Sequence, residues 1–263
     1  MSLERESEIH ELKDHRTVPL PYLSYDSHRG RQTPIVIDNG GQEVRAGWAG
    51  DREPSLAFRS VLAKTRRDKT KESELLVGSD ITNIEAVRHA LRSPFDKNVV
   101  THLEAAEHLL DHTFSHLCID TLEAVEHPVF VTEAPGQPNM SRHLYNQLLF
   151  ELYSVPGVGY GVDSLLSLGH NLPGVEDALL VSLGHQTVHI IPVLAGQPIL
   201  DKARRLNIGG AHMIHHLQKS LQLKYQNHVN TINLSRAEEM FINHTKVVTT
   251  FFDELRLWGK SDH

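Results

Sequence analysis

Two stretches of the chain carry the same order of apolar and polar positions. Pro34-Ile-Val-Ile-Asp38-Asn-Gly-Gly-Gln-Glu-Val-Arg45-Ala-Gly-Trp48 and Asp177-Ala-Leu-Leu-Val-Ser182-Leu-Gly-His-Gln-Thr-Val-His-Ile-Ile-Pro-Val193 each run from an apolar strand through a polar, glycine-bearing turn into a second strand. That pattern predicts two β-hairpins whose tips could face one ligand. The tips differ chemically. The first carries Asp38 ahead of two glycines, a carboxylate for a metal-bound water beside amides open to a phosphate; the second offers Ser182, His185 and Gln186 and no acid.

Between and after the hairpins the periodicity changes to three and four. Val99, Leu103, Ala106, Leu110, Phe114 and Leu117 predict an amphipathic helix, with His108, His112 and His116 in a row on its opposite, solvated face. Pro128-Val-Phe-Val-Thr-Glu133 predicts a short buried strand. The Ala134-Pro-Gly-Gln-Pro138 turn leads into a helix from about Ser141 to Tyr153 that places Leu144, Leu148 and Leu152 on one side. The Gly169-His-Asn-Leu-Pro-Gly174 cluster is the natural division between two lobes. Gly209-Gly210 opens a further helix, and Ser235-x-x-Glu238 has the spacing of a capping box for the last one. Residues 1–33 read as an extended tail, 34–171 as a first lobe and 172–263 as the start of a second. Strands alternating with helices predict an α/β protein with mixed sheets.

A length of 263 residues suffices for a sizeable core, and a formal charge of -7 argues against a chain that coats nucleic acid directly. The basic residues Lys64, Arg66, Arg67, Lys69 and Lys71 read as a solvated loop. Cys118 is the single cysteine, which excludes an intrachain disulfide; with a polar start from Met1 to His15 it favours a reducing intracellular compartment. No apolar run approaches a membrane span. Nineteen histidines invite a metal reading, but neither the His108/His112/His116 row nor His212/His215/His216 comes with a cysteine or a third-element carboxylate at ligand spacing. Serine nucleophile elbows, Walker loops and HExxH sequences are absent from the sequence. Asp38-Asn-Gly-Gly alone is ordinary turn chemistry, and Gly209-Gly210 alone a strand-to-helix turn.

Five segments in register change that balance. Asp38-Asn-Gly-Gly with Arg45-Ala-Gly-Trp-Ala-Gly50, Thr132-Glu-Ala-Pro135, Leu165-Leu-Ser-Leu168, the Gly184 turn with His189 and Pro192, and Leu206-x-Ile-Gly-Gly210 together resemble actin and the actin-related proteins from Pro34 to the end. The tail before Pro34, Trp48, Arg92-Ser-Pro-Phe95 and Leu109-Leu-Asp-His-Thr-Phe114 look closest to a nuclear branch of that family whose members are subunits of ATP-dependent nucleosome remodellers. The resemblance implies an actin-like (ribonuclease H-like) two-lobed ATPase fold closing on ATP or ADP with Mg, here with the second lobe incomplete. By the same resemblance Asp38 faces the metal and its waters, Gly40 and Gly41 line the phosphate turn, Arg45 stands for a phosphate-reaching lysine, Gly184 is the retained glycine of the second turn, and Gly210 lies near the nucleoside.

The departures are as informative. Gly41 replaces a hydroxyl residue, Gln42 a glycine, Ser182 and His185 two aspartates, and Asp163 a water-positioning glutamine. Phosphoryl hydrolysis depends on positioning and charge compensation, so the implied outcome is nucleotide binding without efficient turnover and no catalytic residue. The implied setting is the nucleus, with the cytoplasm as second compartment, among other subunits of a chromatin-remodelling complex. Nucleosome contact would be indirect, and no membrane is involved. The competing readings are an active ATPase with Asp163 as the displaced acid, and an interaction module that binds no nucleotide.

Overall fold

The computed structural model describes residues 16–65, 74–122 and 124–259. Two compact units divide the chain, Arg16–Met213 and the segment from Ile214 onward. Both predicted hairpins form, and both belong to the first unit. β1 (Ile35–Asn39) and β2 (Glu43–Trp48) pair antiparallel with Asp38 opposite Arg45, and β3 (Leu56–Arg59) continues the meander. The short strands β4 (Leu62–Lys64) and β5 (Leu75–Val77) follow, then a 3-10 turn at Gly78–Asp80 and the one-turn helix α1 (Ile84–Val87). Of the basic run only Lys64 is described; Arg66, Arg67, Lys69 and Lys71 lie outside the described residues.

After β6 (Leu91–Arg92), a small hairpin forms from β7 (Phe95–Asp96) and β8 (Val99–Val100) around Lys97 and Asn98, both at positive φ. The helix expected from Val99 therefore begins later, as α2 (Leu103–His116), because Val99 and Val100 are spent on pairing with Asp96 and Phe95. The apolar stripe is otherwise as expected, with Ala106, Leu110, Phe114 and Leu117 buried. The histidine row is not. His112 and His116 are buried, since Ala105, Leu109 and Thr113 widen the buried face until it takes in most of the helix.

β9 (Val129–Glu133) lies parallel to β1, and β10 (Val158–Val162) parallel to β9, giving the sheet order β10-β9-β1-β2-β3. Between them α3 (Asn139–Gln147) runs on through a π turn to Leu152. Its buried stripe is Ser141, Tyr145, Leu149 and Tyr153, one position along from the predicted leucines, and Leu152 is exposed. The tyrosine rings supply the core contacts while the Tyr153 hydroxyl donates to Asp111 Oδ1 at 2.8 Å, a polar handle that a leucine-based reading cannot see.

α4 (Asp163–Asn171) starts directly where β10 stops. The second hairpin, β11 (Ala178–Leu183) and β12 (Val188–Leu194), is extended by β13 (Gln197–Pro198) and β14 (Arg204–Leu206). α5 (Gly210–Lys224) opens at the predicted glycines. Beyond it come α6 (Leu234–His244) and α7 (Phe251–Trp258). The cap of α6 is Asn233, whose side chain accepts from Arg236 N–H at 2.8 Å, rather than the expected Ser235; both Ser235 and Glu238 of the proposed box are buried.

The described part of the predicted tail, residues 16–33, has no helix or strand, as expected, but it is fixed to the core. Leu20, Leu23 and Tyr25 pack on it, and His28 stacks on Trp48 with ring centroids 3.9 Å apart. His127 Nδ1 donates to the carbonyl of Thr33 at 2.8 Å, so its Nε2 accepts from the Tyr25 hydroxyl at 2.8 Å. Among the described residues no helix is long and apolar enough to cross a membrane.

Candidate functional site

Parallel pairing of β1, β9 and β10 brings three carboxyl-terminal strand ends to one edge of the sheet, the usual place for a ligand in such sheets. Asp38, Thr132 and Asp163 sit at those ends. Thr132 Oγ1 donates to Asp38 Oδ1 at 2.6 Å and accepts from Asn39 N–H at 3.0 Å, so one hydroxyl fixes both the carboxylate and the start of the turn. On the neighbouring strand Arg45 lies 3.7 Å from Asp38 Oδ2 and 2.6 Å from Glu43 Oε2, which holds its guanidinium at the rim.

An open cavity of about 510 Å³ is lined by Asp38, Arg45, Asp163, Ser164 and, from β11, Ser182. Its size is within the range of small-molecule sites. The second hairpin therefore faces Asp38 with a hydroxyl. The desolvating walls of the cleft raise the pKa of Asp163; the Asp38 charge raises it further, while the Ser164 N–H bond and His189 oppose the rise. His189, paired across β12 with Ser182 and Arg205, is held below its ordinary pKa by burial first and by Arg205 second. Ser164 Oγ and His189 Nε2 are buried without a hydrogen-bond partner.

The two turns share a construction. A Cβ on Gly40 would meet Glu43 O at 2.5 Å, and one on Gly184 would meet Thr187 O at 2.7 Å, so each glycine is required by its own turn. The tips approach each other. Gln186 Oε1 accepts from Asn98 N–H at 2.8 Å, and a Cβ on Gly41 would lie 3.2 Å from Asn98 Oδ1 and 4.0 Å from Gln186. Arg205 donates to the carbonyl of Lys97, a second tie between the β7–β8 turn and the second hairpin's sheet. Gly210 opens α5 with its N–H on the Gly184 carbonyl at 3.1 Å.

Of the residues expected at the site, Asp38 and Arg45 thus line the cavity, Gly40 and Gly41 form the first turn, and Gly184 and Gly210 build the second turn's support without lining the cavity. His185 contributes its carbonyl, which accepts from Ala211 N–H at 2.8 Å. Thr132 as the holder of Asp38, and Asn98, Gln186 and Arg205 as the bridge, were not predicted; for Thr132 the end of a strand next to β1 was the available signal.

The family profile for actin matches residues 29–255. The chain belongs to the actin family. The expected actin-like α/β fold, with its mixed sheets, therefore stands. The chain is similar to actin-related protein 5 of Drosophila melanogaster, 41% identical over 248 residues that make up 87% of this chain and 38% of that protein. It is similar to actin-related protein 5 of Homo sapiens, 39% identical over 260 residues, 95% of this chain and 43% of that protein. For actin-related protein 5 of Saccharomyces cerevisiae the figures are 33% over 241 residues, 91% and 32%. The actin-family chain described here spans less than half the length of these relatives.

Within the family frame, the donor set at the strand ends fits a hydrated divalent cation with phosphate. The Asp38 charge adds to the cost of ionising Asp163, which a cation would relieve, and magnesium takes one or two carboxylates with several waters. Arg45 adds a positive group at the same rim, and the unpartnered Ser164 hydroxyl a further polar atom.

Proposed function

We propose that this actin-family chain is a scaffold subunit of an ATP-dependent nucleosome-remodelling complex in the nucleus, holding ATP or ADP with Mg between its hairpin turns and turning it over poorly. The observation that carries the reading is the unequal pair of hairpins around one cavity, with Asp38 anchored by Thr132 on one side and Ser182 on the other. Asp38 and Asp163 would hold the hydrated cation, Arg45 and the Gly40–Gly41 turn the phosphates, and Gly184 and Gly210 the second turn. The cation would offset the carboxylate charge there, and the nucleotide would tie the turns together. Hydrolysis needs a carboxylate to organise the attacking water opposite Asp38, and the second turn supplies none. The similarity to proteins named actin-related protein 5 supports the remodeller setting, with other subunits as direct partners.

The nearness of Asp163 to Asp38 favours a second reading, an active ATPase that uses Asp163. One variant separates the two. Asp163→Asn keeps the acceptor for Ser164 N–H but removes a desolvated charge. On the scaffold reading it raises the thermal midpoint of nucleotide-free protein, weakens Mg-ATP binding and leaves a negligible steady-state turnover negligible. On the ATPase reading wild type turns over steadily and Asp163→Asn abolishes this at nearly unchanged affinity. The assembly claim is tested by affinity purification of the tagged full-length protein from nuclei, where recovery of no remodeller subunit contradicts it.

A further inference from the structure

Away from the cleft, His112 and His116 lie one turn apart on α2, 7% and 4% exposed, and Asp80 reaches them from the Gly78–Asp80 turn. One ligand atom from each of the three lies within 4.8 Å of the other two. The carboxylate comes from a different element, 32 and 36 residues before the two histidines, so spacing along the helix does not reveal it.

The hydrogen bonds decide which ring nitrogens are available. His116 Nδ1 lies 2.9 Å from the carbonyl of His112; a carbonyl only accepts, so Nδ1 carries the proton and Nε2 bears the lone pair. His112 Nε2 lies 3.0 Å from Ser79 Oγ, and a serine hydroxyl can take either role. With Ser79 as acceptor, Nδ1 presents its lone pair towards Asp80 Oδ2, 3.5 Å away. Each imidazole is then anchored at one nitrogen and open at the other, the arrangement in which histidine ligates metals. Phe58 packs edge-on against His112, and Tyr22 stacks on His116 at 4.7 Å with the ring planes 6° apart, so aromatic walls orient both rings.

We propose that Asp80, His112 and His116 form a second metal site, for a zinc-class transition ion with an open fourth position, that clamps the Gly78–Asp80 turn to α2. Two imidazoles select such an ion over magnesium, so the site is chemically distinct from the nucleotide cleft. Bonds of about 2.0–2.2 Å place ligand atoms about 3.3 Å apart, and the Asp80 side chain, 43% exposed, is free to make the small closing movement.

The test is calorimetric titration of chelator-treated full-length protein with zinc sulfate, repeated with cobalt sulfate to read the visible d–d bands of a nitrogen-ligated ion. The expected result is one saturable equivalent with a rise in thermal midpoint. Asp80→Asn, a substitution at an exposed side chain that leaves the fold intact, should weaken binding about tenfold or more, and His116→Gln should abolish it. The double variant His215→Gln/His216→Gln, on an exposed face of α5, should bind as wild type. Absence of saturable binding, or equal affinity in Asp80→Asn and wild type, overturns the proposal.

Discussion

Gly209→Ala is expected to cost about 2–6 kcal/mol of stability and to disorder the second turn, because overpacking of a fixed site costs about 1–3 kcal/mol and each of two lost hydrogen bonds about 0.5–1.5. A Cβ at Gly209 would lie 2.5 Å from both the Gly184 and the His185 carbonyl oxygens, which are backbone atoms that cannot turn aside. Those same carbonyls accept from Gly210 N–H at 3.1 Å and Ala211 N–H at 2.8 Å. A methyl group here must therefore push the start of α5 off the hairpin and lose both bonds. Gly210→Ala is the control. Its Cβ would find nothing nearer than 3.9 Å, and alanine suits the first turn of a helix, so the effect should be neutral or slightly stabilising. Urea melts of the two variants beside wild type check the pair; equal midpoints would contradict the packing described.

Asp38→Asn is expected to weaken Mg-nucleotide binding about a hundredfold, which corresponds to about 2.7 kcal/mol, while leaving the fold nearly unchanged. The amide oxygen of asparagine can still accept from Thr132 Oγ1, now at 2.6 Å from the carboxylate, so the turn keeps its anchor. What disappears is the charge, and with it the main ligand for the cation. Fluorescence polarisation of a labelled ATP with excess magnesium reads the change. Binding of equal strength in the variant would remove Asp38 from the site. A parallel fall in thermal midpoint without nucleotide would instead assign Asp38 to folding.

The hairpins were legible because a buried strand, a glycine turn and a second strand form a local pattern. The same holds for α2, α5 and the division into strands and helices. Where the reading failed, a pairing or packing partner distant in sequence decided the outcome. Val99 left the helix for β7, Tyr145 and Tyr153 displaced leucines from the buried stripe of α3, and Asn233 took the cap of α6 from Ser235. A row opposite an apolar stripe is usually solvated, but the core closes around both sides of α2 and buries His112 and His116. At the site, individual residues could be proposed from their chemistry, but their grouping could not. Only the parallel order of β1, β9 and β10 brings Asp163 beside Asp38, and the Asn98–Gln186 and Arg205–Lys97 ties join positions 88 and 108 residues apart.

The central claim is that two turns from separate hairpins serve one ligand. Hydrogen–deuterium exchange of the amides at 39–43 and 184–187, followed with and without Mg-ATP, tests it most directly. Protection of both turns at the same nucleotide concentration is the predicted result, lost together in Asp38→Asn. Protection of one turn alone, or of neither while nucleotide is bound elsewhere, would contradict it.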